Sequence, residues 1–155
     1  MAGYITDLTA AYTKFYNVLV AAHIKDTATT PIEIDWEKKD PPESVTDCPK
    51  GWVIREQGLG GGIETDQPDI ETPSILTVVV IVAHVSQVSS SDADDKTDVL
   101  LDKVITALNA DNTLTGLVEG MKLERVMFDN RQSGSAWYSR PMARFTMKVR
   151  ATGIA

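Results

Sequence analysis

Apolar residues recur at three- and four-residue steps from Tyr4 to Ala22, where Ile5, Leu8, Tyr12, Phe15, Leu19 and Ala22 form a single stripe. That spacing predicts an amphipathic helix, and Ala10, Ala11 and Ala21 favour helix without adding bulk. Thr29, Thr30 and Pro31 break the pattern, and the period then drops to two. Ile32, Ile34 and Trp36 alternate with Glu33 and Asp35, which predicts a half-buried strand with its apolar row inward. Asp40-Pro41-Pro42-Glu43 ends it, because consecutive prolines lack the N–H groups of a ladder. A polar surface loop over Lys38–Lys50 leads to a second short strand at Trp52–Glu56. The glycine-rich, acidic stretch Gly58–Pro73 then predicts a loop or extended arm.

The strongest strand follows at Ser74–Gln87. Ile75, Val79, Ile81 and Val85 lie on one face and Leu76, Val78, Val80 and Val82 on the other. β-Branched residues on both faces require both to be covered. Helices can cover one; the other calls for a loop, a second sheet or another subunit. Ser89, Ser90, Ser91 and Asp92 open the next helix as N-cap candidates, with Asp92, Asp94 and Asp95 at the positive end of its dipole. Its buried stripe is Val99, Leu100, Leu101, Val104, Ile105 and Leu108. Val118–Asp129 reads as a strand whose apolar parity changes between Leu123 and Val126, which predicts a bulge near Glu124–Arg125. Asn130–Ala136 is a polar hairpin loop, and Trp137–Thr152 is a last strand with Ala143, Phe145, Met147 and Val149 on one side. The order of elements predicts an α+β fold: a mixed, mainly antiparallel sheet with two main helices packed on one face. Residues 1–155 form a single domain, with a long acidic loop or arm at about 38–73.

A chain of 155 residues with 24% charged and 43% hydrophobic positions has an ordinary globular composition. The segment Met1–Asp7 lacks the basic and apolar regions of a signal peptide. The run Ile75–Val85 is shorter than the roughly 20 residues of a membrane helix. These features predict a protein made and kept in a cytoplasm, or in something assembled there, without membrane contact. The net charge is −7, whereas a protein that grips DNA is usually basic. Charge is also segregated. Between Asp26 and Glu71, twelve acids face only Lys38, Lys39, Lys50 and Arg55. Towards the C-terminus, Lys122, Arg125, Arg131, Arg140, Arg144, Lys148 and Arg150 outnumber Glu124 and Asp129. That asymmetry suggests faces of opposite sign that meet between copies. Arg140, Arg144, Lys148 and Arg150, with Trp137 and Tyr138 at the hairpin, are therefore the candidate oligomer interface, since aromatic and Arg side chains are enriched there.

No catalytic, cofactor or metal motif emerges, so the sequence predicts neither an enzyme nor a bound cofactor. Cys48 stands alone, without the partners of a nucleophile or a metal site. His84, on the apolar strand, reads as a satisfied core histidine, and His23 as a cap at the end of the first helix. Gly58–Gly62 lacks the lysine of a phosphate loop. Asp92, Asp94, Asp95 and Asp98 lack the glycine and distal glutamate of a calcium loop. Glu33, Asp35 and Glu37 share one strand face, where water is the expected partner.

The run from Ile75 to Val85 leads into the helix Ala93–Leu108, and the chain closes with Met142-Ala143-Arg144-Phe145-Thr146-Met147-Lys148-Val149-Arg150-Ala151. With the N-terminal amphipathic helix ahead of them, these segments resemble the tail terminator proteins of tailed bacteriophages. The insert from Asp40 to Thr72 is longer than that family implies. The resemblance implies a homohexameric ring, assembled in the host cytoplasm and resident in the tail or neck of the virion. Such a ring caps the tail tube, stops its polymerisation and joins the tube protein to a head–tail connector or neck protein. DNA passes through without sequence-specific binding, and acids facing the channel, Glu33, Asp35 and Glu37 or the insert, repel its phosphates. Other readings are a connector, neck or tail tube subunit, and, in a different class, a small enzyme or ligand-binding domain with a deep polar pocket.

Overall fold

The computed structural model describes residues 4–42, 48–55, 63–65 and 74–150. Its elements are α1 (Tyr4–Ala21), β1 (Asp35–Glu37), β2 (Lys50–Arg55), β3 (Ile63–Thr65), β4 (Ser74–Ser86), α2 (Ser90–Ala110), β5 (Val118–Met127), β6 (Asn130–Ser133), β7 (Ala136–Ser139) and β8 (Met142–Val149). With two helices and a mixed, mostly antiparallel sheet, the chain is α+β, as its periodicities predict.

β4 is the axis of the sheet. Along one side it pairs with β3 at Ser74–Leu76 and with β2 at Val78–Ala83. Along the other it pairs with β8 at Ile75–Ile81 and with β7 at His84–Ser86. β1 lies outside β2, β5 outside β8 and β6 outside β7. Every pairing is antiparallel except that of β1 with β2. At 13 residues the strand is long enough to serve four neighbours in this way, and its β-branched run favours extended pairing along its length.

The alternation along β4 sorts the core into two clusters. Leu76, Val78, Val80 and Val82 pack with Leu8, Phe15 and Leu19 of α1, with Leu100, Val104 and Leu108 of α2, and with Phe145, Met147 and Val149 of β8. Phe15 and Phe145 meet edge to face, centroids 5.6 Å apart and rings inclined by 64°, an arrangement worth about 0.5–1.5 kcal/mol beyond burial. Val79, Ile81 and Ala83 form a smaller cluster with Trp52, supported by Cys48, Ile54 and Met142. Val79 and Ile81 are only 6% and 7% exposed, so the chain itself covers this stretch of the second face. Lys38, Lys39 and Asp40 border a cleft over the same residues, and the Arg140 guanidinium donates to the Pro42 carbonyl at 2.7 Å. That bond fastens the returning segment across the sheet.

Several local expectations are corrected. Ile32 is 52% exposed although Ile34 and Trp36 are buried; strand pairing begins only at Asp35, and residue 32 instead closes a loop onto Asp26. Asn130–Ala136 is not a loop but most of a hairpin, β6–β7, turning at Gly134 with φ +61°. The last strand is therefore two strands. Pro141 interrupts it, having no N–H to continue the ladder, and its carbonyl accepts from Val82 N–H instead. Within the acidic arm, β3 adds a short strand to β4; arm positions 43–47, 56–62 and 66–73 lie outside the described residues. The bulge in β5 falls between Leu123 and Arg125, as the parity change predicts, and a second irregularity between Val118 and Met121 spans Gly120, whose φ is +157°.

Both helix ends use polar residues. Ser89 caps α2, its hydroxyl accepting from Asp92 N–H at 3.0 Å. α1 ends as His23 enters the left-handed region with φ +49°, the αL termination more often given to glycine or asparagine.

Candidate assembly surface

Pairing register fixes which side chains share the second face of the sheet. On β8, Met142, Arg144, Thr146 and Lys148 alternate outward while Ala143, Phe145, Met147 and Val149 are buried. Across the strand boundary, Lys122 stands opposite Thr146, Arg125 opposite Arg144 and Met127 opposite Met142. The small cluster around Trp52 stops short of this half of the face. What the β5–β8 half presents is Lys122, Arg125, Arg144 and Lys148 around Thr146, with the two methionines at one end. Arg125 and Arg144 are directly opposed, a like-charge juxtaposition that costs free energy unless an anion relieves it. Glu124, in the bulge, supplies part of that relief at 3.6 Å from the Arg144 guanidinium. Beside this patch runs the outer rim of β5, where Leu123 is 39%, Met127 43% and Phe128 73% exposed.

Of the predicted interface residues, Arg144 and Lys148 thus fall together, in company with Lys122 and Arg125, which the charge count noted without singling out. Arg150 is exposed just past β8, its N–H bound to the Leu117 carbonyl. Trp137 and Tyr138 are half-buried on β7, paired with Ser86 and Val85 at the far end of β4. Arg140 serves the Pro42 clamp; burial, then Arg131, hold its pKa below the ordinary value against the opposing pull of Asp129.

Glu33, Asp35 and Glu37 lie at the opposite edge of the sheet, and besides their exposure to water each has a basic side chain beside it. His23 Nδ1 is 2.8 Å from Glu33. Lys50 Nζ donates to Asp35 at 2.6 Å and to Glu37 at 3.2 Å, and Lys39 is also 3.2 Å from Glu37. Desolvation alone would raise the Glu37 pKa, but Lys50 and Lys39 outweigh it and hold it low. The Asp35 bond raises that of Lys50. Parallel pairing explains the arrangement: β1 places Asp35 opposite Lys50, a register invisible in either segment read separately.

The acids of α2 divide into two groups. Asp92 accepts from Ser86 and lies 3.7 Å from Lys96, and Asp94 accepts from Ser139 at 2.8 Å and Asn130 at 2.9 Å. Asp95, Asp98 and Asp102 line the side turned to solvent. The Asp98 pKa is raised by burial and then by Asp94, Asp95 and Asp102, so acid is crowded along this stripe.

His84 is the satisfied core histidine that the sequence predicts, 8% exposed with both ring nitrogens bonded; its partner Asp26 and the buried Ser139 escaped sequence reasoning. Asp26 and His84, 58 residues apart, meet at 3.0 Å with both side chains nearly enclosed. Val85 N–H donates to His84 Nδ1 at 2.8 Å, which leaves Nε2 as the atom donating to Asp26. The other carboxylate oxygen accepts from Ile32 N–H at 2.9 Å and Ala28 N–H at 3.3 Å. These bonds outweigh desolvation and lower the Asp26 pKa. Ser139, buried on β7, lies 2.9 Å from the Thr97 hydroxyl and donates to Asp94. Both groups tie distant segments together. For Asp26, the Pro31 turn five residues on was the available signal.

The cleft beneath Lys38–Asp40 has a volume of about 640 Å³, with Val79, Ile81, Ile54 and Met142 as floor and Lys39 and Arg55 at its rim. Lys38 Nζ sits over the Tyr16 and Tyr12 rings at 4.8 and 5.5 Å, and the tyrosine hydroxyls donate to the Trp36 and Val53 carbonyls. Among the described residues, no group of three or more His, Cys, Asp or Glu is placed to hold a metal, and no helix is long and apolar enough to cross a membrane.

No protein-family model matches the sequence, and no curated protein matches it either.

Proposed function

We propose that this protein is a virion structural subunit, a phage tail terminator whose copies close into a ring on the end of the tail tube. The observation that carries the reading is the β5–β8 half of the sheet: a face with Lys122, Arg125, Arg144 and Lys148 beside a rim with Phe128, Met127 and Leu123 exposed. The chain covers the surface over β2 and β4 with its own residues, whereas Lys122, Arg125, Met127 and Lys148 on the β5–β8 half are exposed among the described residues, and that half is the part we assign to a neighbour. A contact between unlike surfaces of identical subunits generates a ring when its rotation closes. The sequence resemblance in β4, α2 and β8 gives that ring its place: it ends tube growth and receives the head connector or neck protein.

The β1 edge suits the wall of a DNA channel. Lys39 and Lys50 are engaged by Glu37 and Asp35, and Glu33 lies beside His23, so this edge offers few free lysines to hold phosphates by counterion release. DNA then slides past without being gripped.

Particle images and native mass spectrometry of the purified chain test the proposal. Single rings that bind the ends of tail tubes are the expected result. Long cylinders formed by this chain alone would point to a tube subunit instead. A strict monomer with no affinity for tube ends would overturn the proposal.

A further inference from the structure

A gap in the sheet creates the cleft beneath Lys38–Asp40. β1 pairs with β2 only at Lys50–Trp52, so the outer edge of β2 from Val53 to Arg55 has no strand beside it among the described residues. The chain leaving β1 borders this stretch with Lys38, Lys39 and Asp40, and the space enclosed is about 640 Å³. That volume is in the range of small-molecule sites.

Register sorts the lining. Ile54 stands opposite Val79, and Met142 opposite Ile81. These four form an apolar floor, with Ile54 and Met142 half-buried and the two β4 residues recessed. Arg55 follows at the other parity, and its guanidinium lies over the Tyr12 ring at 5.3 Å. Lys38 Nζ is 5.5 Å from the centre of the same ring. A ring face steadies a cation while leaving its N–H donors available. Neither Arg55 nor Lys38 is paired with a carboxylate among the described residues, whereas Lys39 is engaged by Glu37. The lip of an apolar cleft is thus set with two cations held in place by an aromatic ring, and Asp40 is the one acid among the lining residues.

We propose that this cleft binds a small organic carboxylate, its anionic head at Arg55 and Lys38 and its apolar body on Ile54 and Met142. Arg55 offers the planar fork that matches a carboxylate. The floor supplies no donors, so a fully polar anion gains nothing from entering it. The site requires one chain only and stands apart from the ring reading.

Phenylbutyrate, titrated into the purified chain and followed by methyl NMR, is the probe; phenylbutanol and acetate are its neutral and head-group-only counterparts. Phenylbutyrate is expected to shift the Ile54 and Met142 methyl resonances with a Kd of about 1 mM or tighter. Phenylbutanol and acetate are each expected to bind about tenfold more weakly or worse. Arg55→Gln, at an exposed position, removes charge and fork together and is expected to weaken phenylbutyrate by about tenfold. Thermal unfolding verifies its fold; if it does not fold, Lys38→Gln, also exposed, replaces it with the same expectation. No shift at Ile54 and Met142 in the millimolar range, phenylbutanol binding as well as phenylbutyrate, or an affinity unchanged by the folded variant would each overturn the proposal.

Discussion

Gly51→Ala is a sharp test of how β1 and β2 are joined. Trp36 lies across from Gly51 in the parallel register, and its indole rests on the glycine. A Cβ added there would stand 2.5 Å from both Cε3 and Cζ3 of Trp36 and 2.9 Å from Ile34 Cγ2. Carbon atoms prefer about 3.5–4.0 Å, so the ring must retreat by about 1 Å. Trp36 is buried in the main core, and its carbonyl is bound by the Tyr16 hydroxyl, so little room exists for that retreat. Overpacking of this kind costs about 1–3 kcal/mol, occasionally more, and a rigid ring places this site at the upper end. Gly51 is outside the left-handed region, so alanine also restricts the unfolded chain and returns about 0.4–1 kcal/mol. The net expectation is a loss of about 2 kcal/mol, or roughly 4–8 °C in Tm for a chain of this size. Urea unfolding followed by tryptophan fluorescence measures it, with the denaturant slope unchanged. Trp36→Leu supplies the control: in a double-mutant cycle the pair should couple by about 1 kcal/mol or more, because the smaller side chain admits the methyl group. A stable Gly51→Ala protein, or strictly additive effects, would refute the reasoning.

Asp26→Ala should lower stability by about 2–4 kcal/mol, since it strands the His84 ring and two backbone N–H groups in a buried site; urea unfolding at neutral pH measures it. The Asp26 pKa is lowered in the folded state, so its contribution is present above the unfolded value of about 3.9 and is lost as pH falls through the folded one. Acid unfolding of the wild type should therefore steepen below about pH 4 relative to the variant. Ser139→Ala removes the link between β7 and α2 and should cost about 1–2 kcal/mol, with faster amide exchange across β6–β7 as its local signature. Phe128→Ser should leave monomer unfolding within about 0.5 kcal/mol of wild type, because the ring is exposed, while reducing self-association in sedimentation experiments.

Both helices, the long strand β4 and the alternation of β8 were legible because each is a local property. A stripe at 3.6-residue spacing or a row at period two must be satisfied by whatever packs on it, and Leu8, Phe15, Val78, Val80, Phe145 and Met147 are all core as their periodicity requires. The β5 bulge was legible for the same reason: Leu123 and Val126 are both apolar but differ in parity, and one extra residue is the simplest reconciliation. Where a single residue overruled a pattern, the sequence misled. Pro141 sits inside what reads as one continuous alternation, and the missing N–H splits it into β7 and β8.

What the sequence determined by itself was the inventory of elements, their inward faces, and a segregation of charge between acidic and basic regions. Tertiary structure alone decided which charges meet. It tied Asp35 and Glu37 to Lys50, buried Asp26 against His84, and gathered Lys122, Arg125, Arg144 and Lys148 on one face of the sheet. The reason is physical: periodicity reports how a residue sits on its own helix or strand, whereas electrostatic partnership depends on distances across the fold. Those distances follow from strand order and register, which no local spacing encodes.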